Sequence, residues 1–298
     1  MSAADTDLMT GHQAARGRRP AWAWAVRRPR WNVPGVAGGL AWLLIVLVPV
    51  YWMVISSLRD QAGFLGQEQL LPPSHPTLDN YRRVLDNGFG RYLLNSAIVT
   101  VATVIVVVLV TLLAAYVIVR SERRIARGAF TLFLAGLAVP SHAVIIPIYL
   151  LIIRLHLYDS LLALILPTAA FGIPVAVLVT TAFMRDIPNE LFEAMRLDGA
   201  SEWRILWSLA APLSRPAMIT VGVYTAIQAW NGFLFPLILT QSPRTRVLPL
   251  SLWTLQGEFT IDVPAVLAAV VLSSLPLFAA YLIGRRQLVA GLTAGFGK

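Results

Sequence analysis

Cysteine is absent from the 298 residues, which excludes disulfides, thiolate metal sites and a cysteine nucleophile. Charge is scarce as well. Asp, Glu, Lys and Arg supply 13% of the chain, where soluble domains carry about 25%. Lysine occurs once, as Lys298; every other basic residue is arginine. His12, His75 and His156 are scattered and show no metal-ligand spacing. Apolar residues reach 57% and mean hydropathy is +0.69, so neither a water-soluble globule nor a disordered chain fits. A multi-pass membrane protein does.

What is present are six apolar runs long enough to cross a hydrocarbon core of about 30 Å. They cover Val36 to Leu58, Tyr92 to Val119, Ala129 to Ile153, Leu161 to Met184, Ala217 to Thr240 and Val263 to Gly284, and none contains Asp, Glu, Lys or Arg. One charge at the bilayer centre costs about 2.5–3.5 kcal/mol on insertion scales, so that emptiness supports the assignment. The expected class is all-α, a polytopic protein with six transmembrane helices. Its expected parts are a basic tail (1–35), a six-span domain (36–284) and a second tail (285–298).

The net charge of +9 does not point to nucleic acid, because the arginines cluster between the apolar runs. Seventeen basic residues fall in the tails and in the second and fourth connections, against seven in the others. The positive-inside rule then places both termini in the cytoplasm. The tail arginines with Trp22, Trp24 and Trp31 read as an interfacial anchor on membrane lipid.

One connection is richer in signals than the rest: RDIPNELFEAMRLDGASEWRILWSLAAPLSRP, residues 185–216. Pro188 suits a first helical turn, and Glu190 and Glu193 suit the positive end of a helix dipole. Gly199 is a good residue just past a helix end, with φ above zero. Ser201 can cap a second helix carrying an apolar stripe of Trp203, Leu206, Trp207 and Ala210, ended by Pro212. Two short helices with a sharp bend follow, with an apolar face to bury. An interfacial hairpin on lipid is the plainer reading.

Glu193-Ala194-Met195, then Asp198-Gly199-Ala200, then Pro212-Leu213, resemble the EAA loop of ABC-importer permeases, with Met195 in place of the second alanine. Asn80-Tyr81, Asn95-Ser96, residues 146–150 (IPIYL), Trp230-Asn231 and the GLTAG of residues 291–295 are similar to carbohydrate permeases of the maltose-transporter type, on the side of the smaller six-helix subunit. That resemblance implies a bacterial plasma-membrane transport subunit in which the segment from Glu190 to Leu213 docks on an ATPase. It further implies a second permease, two ATPase subunits holding the ATP and Mg, and an extracytoplasmic substrate-binding protein. This chain itself would hold no cofactor. A glycerol-phosphate-type or other polar cargo, and an ion-coupled carrier, are the alternatives; no carboxylate lies in any span to couple an ion.

In the fifth run, Thr220, Tyr224, Gln228 and Asn231 recur at intervals of 4, 4 and 3 and share a helix face. They are candidates to line a translocation path, with interhelical hydrogen bonding as the plainer role. His142, between Pro140 and Pro147, reads as a packed, hydrogen-bonded side chain. The glycines of the C-terminal tail miss the phosphate-loop spacing, so nucleotide hydrolysis belongs elsewhere.

Overall fold

The computed structural model describes residues 33–66, 69–121, 124–254 and 262–294, and every regular element among them is helical. In chain order the helices are α1 (Val33–Ser57), α2 (Gln61–Gly66), α3 (Asp79–Val84), α4 (Gly90–Arg120), α5 (Arg124–Gly136), α6 (Ile145–Arg154) and α7 (Leu161–Arg185). They continue with α8 (Asn189–Leu197), α9 (Glu202–Ile205), α10 (Ala211–Leu213), α11 (Arg215–Trp230), α12 (Leu234–Leu239), α13 (Leu248–Thr254) and α14 (Val263–Ala294). Wide π-type turns join α3 to α4 at Leu85–Phe89 and α9 to α10 at Leu206–Ala210. The N-terminal anchor, and residues 295–298 of the glycine-rich tail, lie outside the described residues.

The chain separates at Val48 and Pro49 into two compact units. The described part of the first is the opening of α1, with apolar side chains such as Trp42 and Ile45 exposed throughout. The second holds everything from Pro49 onward.

Among the described residues, four helices are long and apolar enough to cross a membrane: α1, α4, α7 and α14. The other two expected spans are not single helices. The third is split into α5 and α6 by a turn at residues 137–144 around Pro140, and the fifth into α11 and α12 at residues 231–233. Proline and glycine at the breaks explain the departure, because Pro140 has no N–H to continue a ladder and Gly232 weakens one. α14 runs unbroken past the expected boundary at Gly284 as far as Ala294.

α4 and α7 form the centre of the second unit. Their seam is built from small and β-branched residues: Thr103, Val107, Thr111 and Ala115 on α4, Ala176, Val177, Thr180 and Thr181 on α7, all buried. In lipid there is no hydrophobic force between helices, so close backbone approach does the work and small residues permit it. Gly172 sits where α7 crosses both neighbours, and a Cβ there would meet Val107 Cγ2 at 3.4 Å and Thr225 at 4.0 Å, ordinary packing distances.

The loops at one end of α4 and α7 are stapled by buried or half-buried polar side chains. The Asn80 amide donates to the carbonyls of Ser57 (2.8 Å) and Arg59 (2.7 Å), and the Asn95 amide to those of Arg244 and Arg246 (2.8 Å each). Ser96 Oγ accepts from the Leu248 N–H at 2.9 Å. Asp159, with φ of +57°, accepts from the N–H groups of Gln241 (2.9 Å) and Ser242 (3.1 Å) and from the Thr245 hydroxyl (2.5 Å). Partial desolvation raises the Asp159 pKa, but these hydrogen bonds outweigh it and bring the carboxyl down to about 2.

Candidate functional site

The second end of α4 and α7 carries the bent helix pair. α8 opens behind Pro188, which stands one position earlier than expected, as its N-cap. It closes with Asp198 as C-cap and Gly199 at φ +75°. The Ala200 N–H bonds the Met195 carbonyl at 2.9 Å and the Gly199 N–H bonds the Arg196 carbonyl at 3.0 Å. That pair of bonds is a Schellman motif, and it needs a residue at ease with positive φ between them. Ser201 then caps α9, its Oγ accepting from the Arg204 N–H at 3.3 Å.

The bend buries one face. Phe192, Ile205, Leu206, Ala210 and Ala211 join Leu112, Ala115 and Tyr116 of α4 and Met184 of α7 in one cluster, with Met195 and Ala200 packed against it. The expected apolar stripe is half right. Leu206 and Ala210 are inside, but Trp203 and Trp207 are 64% and 50% exposed, and Ile205 takes the inward place. Pro212 does not end the second helix, which continues to Leu213. The wide turn at Leu206–Ala210 takes up the misfit, since a proline ring cannot tolerate the carbonyl four residues back in regular α geometry.

Polar contacts fasten the bend to α4. The Tyr116 hydroxyl donates to Glu202 Oε2 at 2.5 Å, while Arg196 Nε and Nη2 reach Glu202 Oε1 at 3.0 and 2.9 Å. Arg120 Nη1 donates to Asn189 Oδ1 at 2.7 Å, and its guanidinium lies 4.1 Å from the centre of the buried Phe192 ring. The Tyr116 hydrogen bond, then those of Arg196, hold the Glu202 carboxyl below its usual range, and the same contact raises Arg196. Glu202 was legible only as a first-turn acid; its partners stand 6 and 86 positions away, outside any local spacing rule.

Of the residues singled out in the sequence, Glu190, Glu193, Ala194, Asp198, Pro212 and Leu213 are exposed on this segment. Leu191, Leu197, Trp203 and Trp207 are exposed as well, so the outward residues are apolar ones interspersed with acids and with Arg196 and Arg204.

A second feature lies between the broken helices. Tyr224, Gln228 and Asn231 of the expected stripe line a cavity of about 340 Å³; Thr220 does not. Thr220 instead donates to the Pro216 carbonyl at 3.0 Å, a helix turn below. Both helix breaks reach the same space, one through Ser141 and His142, the other through Asn231, Gly232 and Phe233. His142 is exposed there, not packed as expected. The Phe171 and Phe235 rings, 5.8 Å apart, form a wall, and Gln228 Nε2 donates to the Tyr224 hydroxyl at 3.3 Å. Trp230 is buried in a separate cluster with Val84, Phe89 and Leu248.

Fold and composition define a multi-pass membrane protein, and comparison with known proteins gives its family. The chain belongs to the binding-protein-dependent transport system inner membrane components, matching that family over residues 107–289. The trehalose/maltose transport system permease protein MalG of Thermococcus litoralis is 32% identical over 266 residues, 87% of this chain and 94% of the relative. The diacetylchitobiose uptake system permease protein NgcG of Streptomyces coelicolor is 30% identical over 259 residues, 86% of this chain and 85% of the relative. Among solved structures, a bacterial ABC transporter involved in import of the acidic polysaccharide alginate shares the fold, with a TM-score of 0.74 at 23% identity over 85% of this chain and 94% of that chain. The chain is therefore an ABC transporter permease, a transport subunit.

Proposed function

We propose that this permease forms half of the membrane path of an ATP-driven carbohydrate importer and is driven through the bent helix pair from Asn189 to Leu213. One observation carries the reading. The pair is fastened to α4 on its inner face by Tyr116, Arg120 and Phe192, yet presents Glu193, Leu197, Trp203, Trp207 and Leu213 outward, uncovered by any of the described residues. A rigid lug with an uncovered apolar face suits docking into a cleft of a separate ATPase subunit. Glu193 would accept a hydrogen bond from a basic or hydroxyl group there.

Closure of two ATPase subunits would then push two such lugs together, one from this chain and one from a second permease. α4 and α7 would tilt with the lug, because the buried cluster and the Glu202 contacts join them. The cavity between the broken helices would open to alternate sides, receiving cargo from an extracytoplasmic binding protein. The broken pairs α5–α6 and α11–α12 complete six crossings in this reading, with both termini and the lug in the cytoplasm of a bacterial inner membrane. ATP and Mg stay on the ATPase.

Co-purification tests this. Solubilised in mild detergent, the chain should bring with it an ATPase and a second permease, and ATP hydrolysis should rise on reconstitution with the binding protein. A chain that purifies alone and transports under an ion gradient would refute the importer reading.

A further inference from the structure

We infer that Arg124, Arg127 and Arg185 form a headgroup site for an anionic phospholipid, at the end of α5 and α7 that also carries the bent helix pair. Arg185 closes α7, a helix long and apolar enough to cross a membrane, and α8 follows directly after a short turn. Arg124 and Arg127 lie in the first turn of α5. The two helices pack against each other so closely that a Cβ on Gly136 would stand 3.0 Å from the Pro174 ring. Phe130 joins the arginines. It follows Arg127 by three positions and Arg124 by six, so the three residues share one flank of α5. The Arg185 guanidinium lies 5.1 Å from the centre of the Phe130 ring, within reach of cation–π attraction.

The surroundings of the arginines suit a lipid better than a free anion. All three side chains are exposed, and among the described residues no carboxylate forms an ion pair with any of them. Asp186 follows Arg185 in sequence, so three cations face one adjacent acid. A guanidinium grips a phosphate through two parallel N–H donors, and one already resting on a ring loses less freedom in doing so. Ile125 and Leu132 are exposed on the same helix, which places apolar surface beside the charge. A phospholipid carries an anion and hydrocarbon in one molecule, and a free phosphate does not. The patch also lies where α7 ends, which is headgroup depth for a helix that spans the bilayer. Scattered arginines at that depth would serve orientation equally well. Here the Phe130 contact and the packing of α5 on α7 gather three at one point, as recognition of a single headgroup needs.

Native mass spectrometry of the detergent-purified protein reads this binding apart from transport. The probes are phosphatidylglycerol, phosphatidylcholine with the same acyl chains, and inorganic phosphate. The first phosphatidylglycerol should bind at least about tenfold more tightly than the first phosphatidylcholine, since more than one arginine contributes. Excess inorganic phosphate should not displace it. Arg127→Gln and Arg185→Gln should each weaken it about fivefold, the worth of one arginine at an anionic surface, and together by more than either alone. Phe130→Leu keeps every charge and should weaken it about twofold to fivefold, the worth of an exposed cation–π contact. Arg154→Gln removes the same charge from an exposed arginine at the far end of α6 and should change nothing. Equal retention of the two lipids, equal loss in Arg154→Gln, or displacement by phosphate overturns the inference. So does unaltered lipid retention in Arg127→Gln and Arg185→Gln alongside loss of an ATPase in pull-down, which would assign the arginines to a protein contact.

Discussion

Gly199 is the position where a one-residue change should separate insertion from coupling. Its φ of +75° is the pivot of the Schellman motif between α8 and α9, and a Cβ built there meets no atom within 4 Å. Any cost of substitution is therefore backbone strain and not a clash. An L-residue in the left-handed region costs about 1–2 kcal/mol, asparagine less because its side chain can bond locally. A β-branched residue there is a genuine outlier and stands at the upper end of a strain range of about 1–3 kcal/mol. Opposing it are the two motif hydrogen bonds, worth together about 1–3 kcal/mol. Valine strain is thus comparable with what holds the bend, while alanine and asparagine fall below it. The expected order of impairment is Asn, then Ala, then Val. The assays are membrane abundance, ATPase pull-down and uptake, measured on all three variants. Abundance should stay near normal throughout, because none of the crossing helices contains the bend. ATPase association and uptake should fall together, most in Gly199→Val. Full coupling in Gly199→Val, or loss in all three to the same degree, would refute the strain argument.

Tyr116→Phe removes the hydroxyl on Glu202 and about 1–2 kcal/mol of attachment between lug and α4. It should leave ATPase association intact while lowering solute moved per ATP hydrolysed, a ratio read in proteoliposomes; an unchanged ratio removes Tyr116 from force transmission. Asp159→Ala should destabilise the loops after α6 and α12 by about 1–2 kcal/mol at neutral pH, seen as a lower melting temperature in detergent. The Asp159 pKa is depressed to about 2, so its contribution is complete above pH about 4 and fades as pH falls toward 2, and the gap between the protein and Asp159→Asn should narrow over that interval. For orientation, the cysteine-free chain permits single substitutions: Ser121→Cys and Leu197→Cys should resist an impermeant thiol reagent in intact cells and Ser74→Cys should react, the reverse pattern contradicting cytoplasmic termini.

Much of this architecture was legible because bilayer physics writes it into composition. A run free of charge is visible residue by residue, and α1, α4 and α7 follow the apolar runs closely, while α14 starts with its run and continues past its end to Ala294. The bend was legible too, since glycine at a helix end and serine at a helix start act locally. The breaks in the third and fifth runs were not. Pro140 and Gly232 mark them, but Pro167, Pro174 and Pro276 sit inside unbroken helices, so proline alone does not separate a kink from a break. The site was half visible. Tyr224, Gln228 and Asn231 share a face by periodicity, whereas Ser141, His142 and Phe171 reach the cavity through tertiary packing. Asn80 and Asn95 stood out as motif residues, and only the fold shows that they staple distant carbonyls. Trp203 and Trp207 misled because hydrophobic periodicity does not say whether an apolar face is buried in its own chain or offered to another.

The central claim is that the outward face of the lug seats on an ATPase. A photo-crosslinking amino acid at Leu197, which is 89% exposed at the tip of the bend, tests it in intact membranes, with Leu162 at the other end of α7, 52% exposed, as the control. Irradiation should join position 197 to a nucleotide-binding subunit, identified by mass spectrometry, and position 162 should give no such adduct. Adducts at position 197 with lipid alone would mean that the segment lies on the bilayer surface and that the coupling account is wrong.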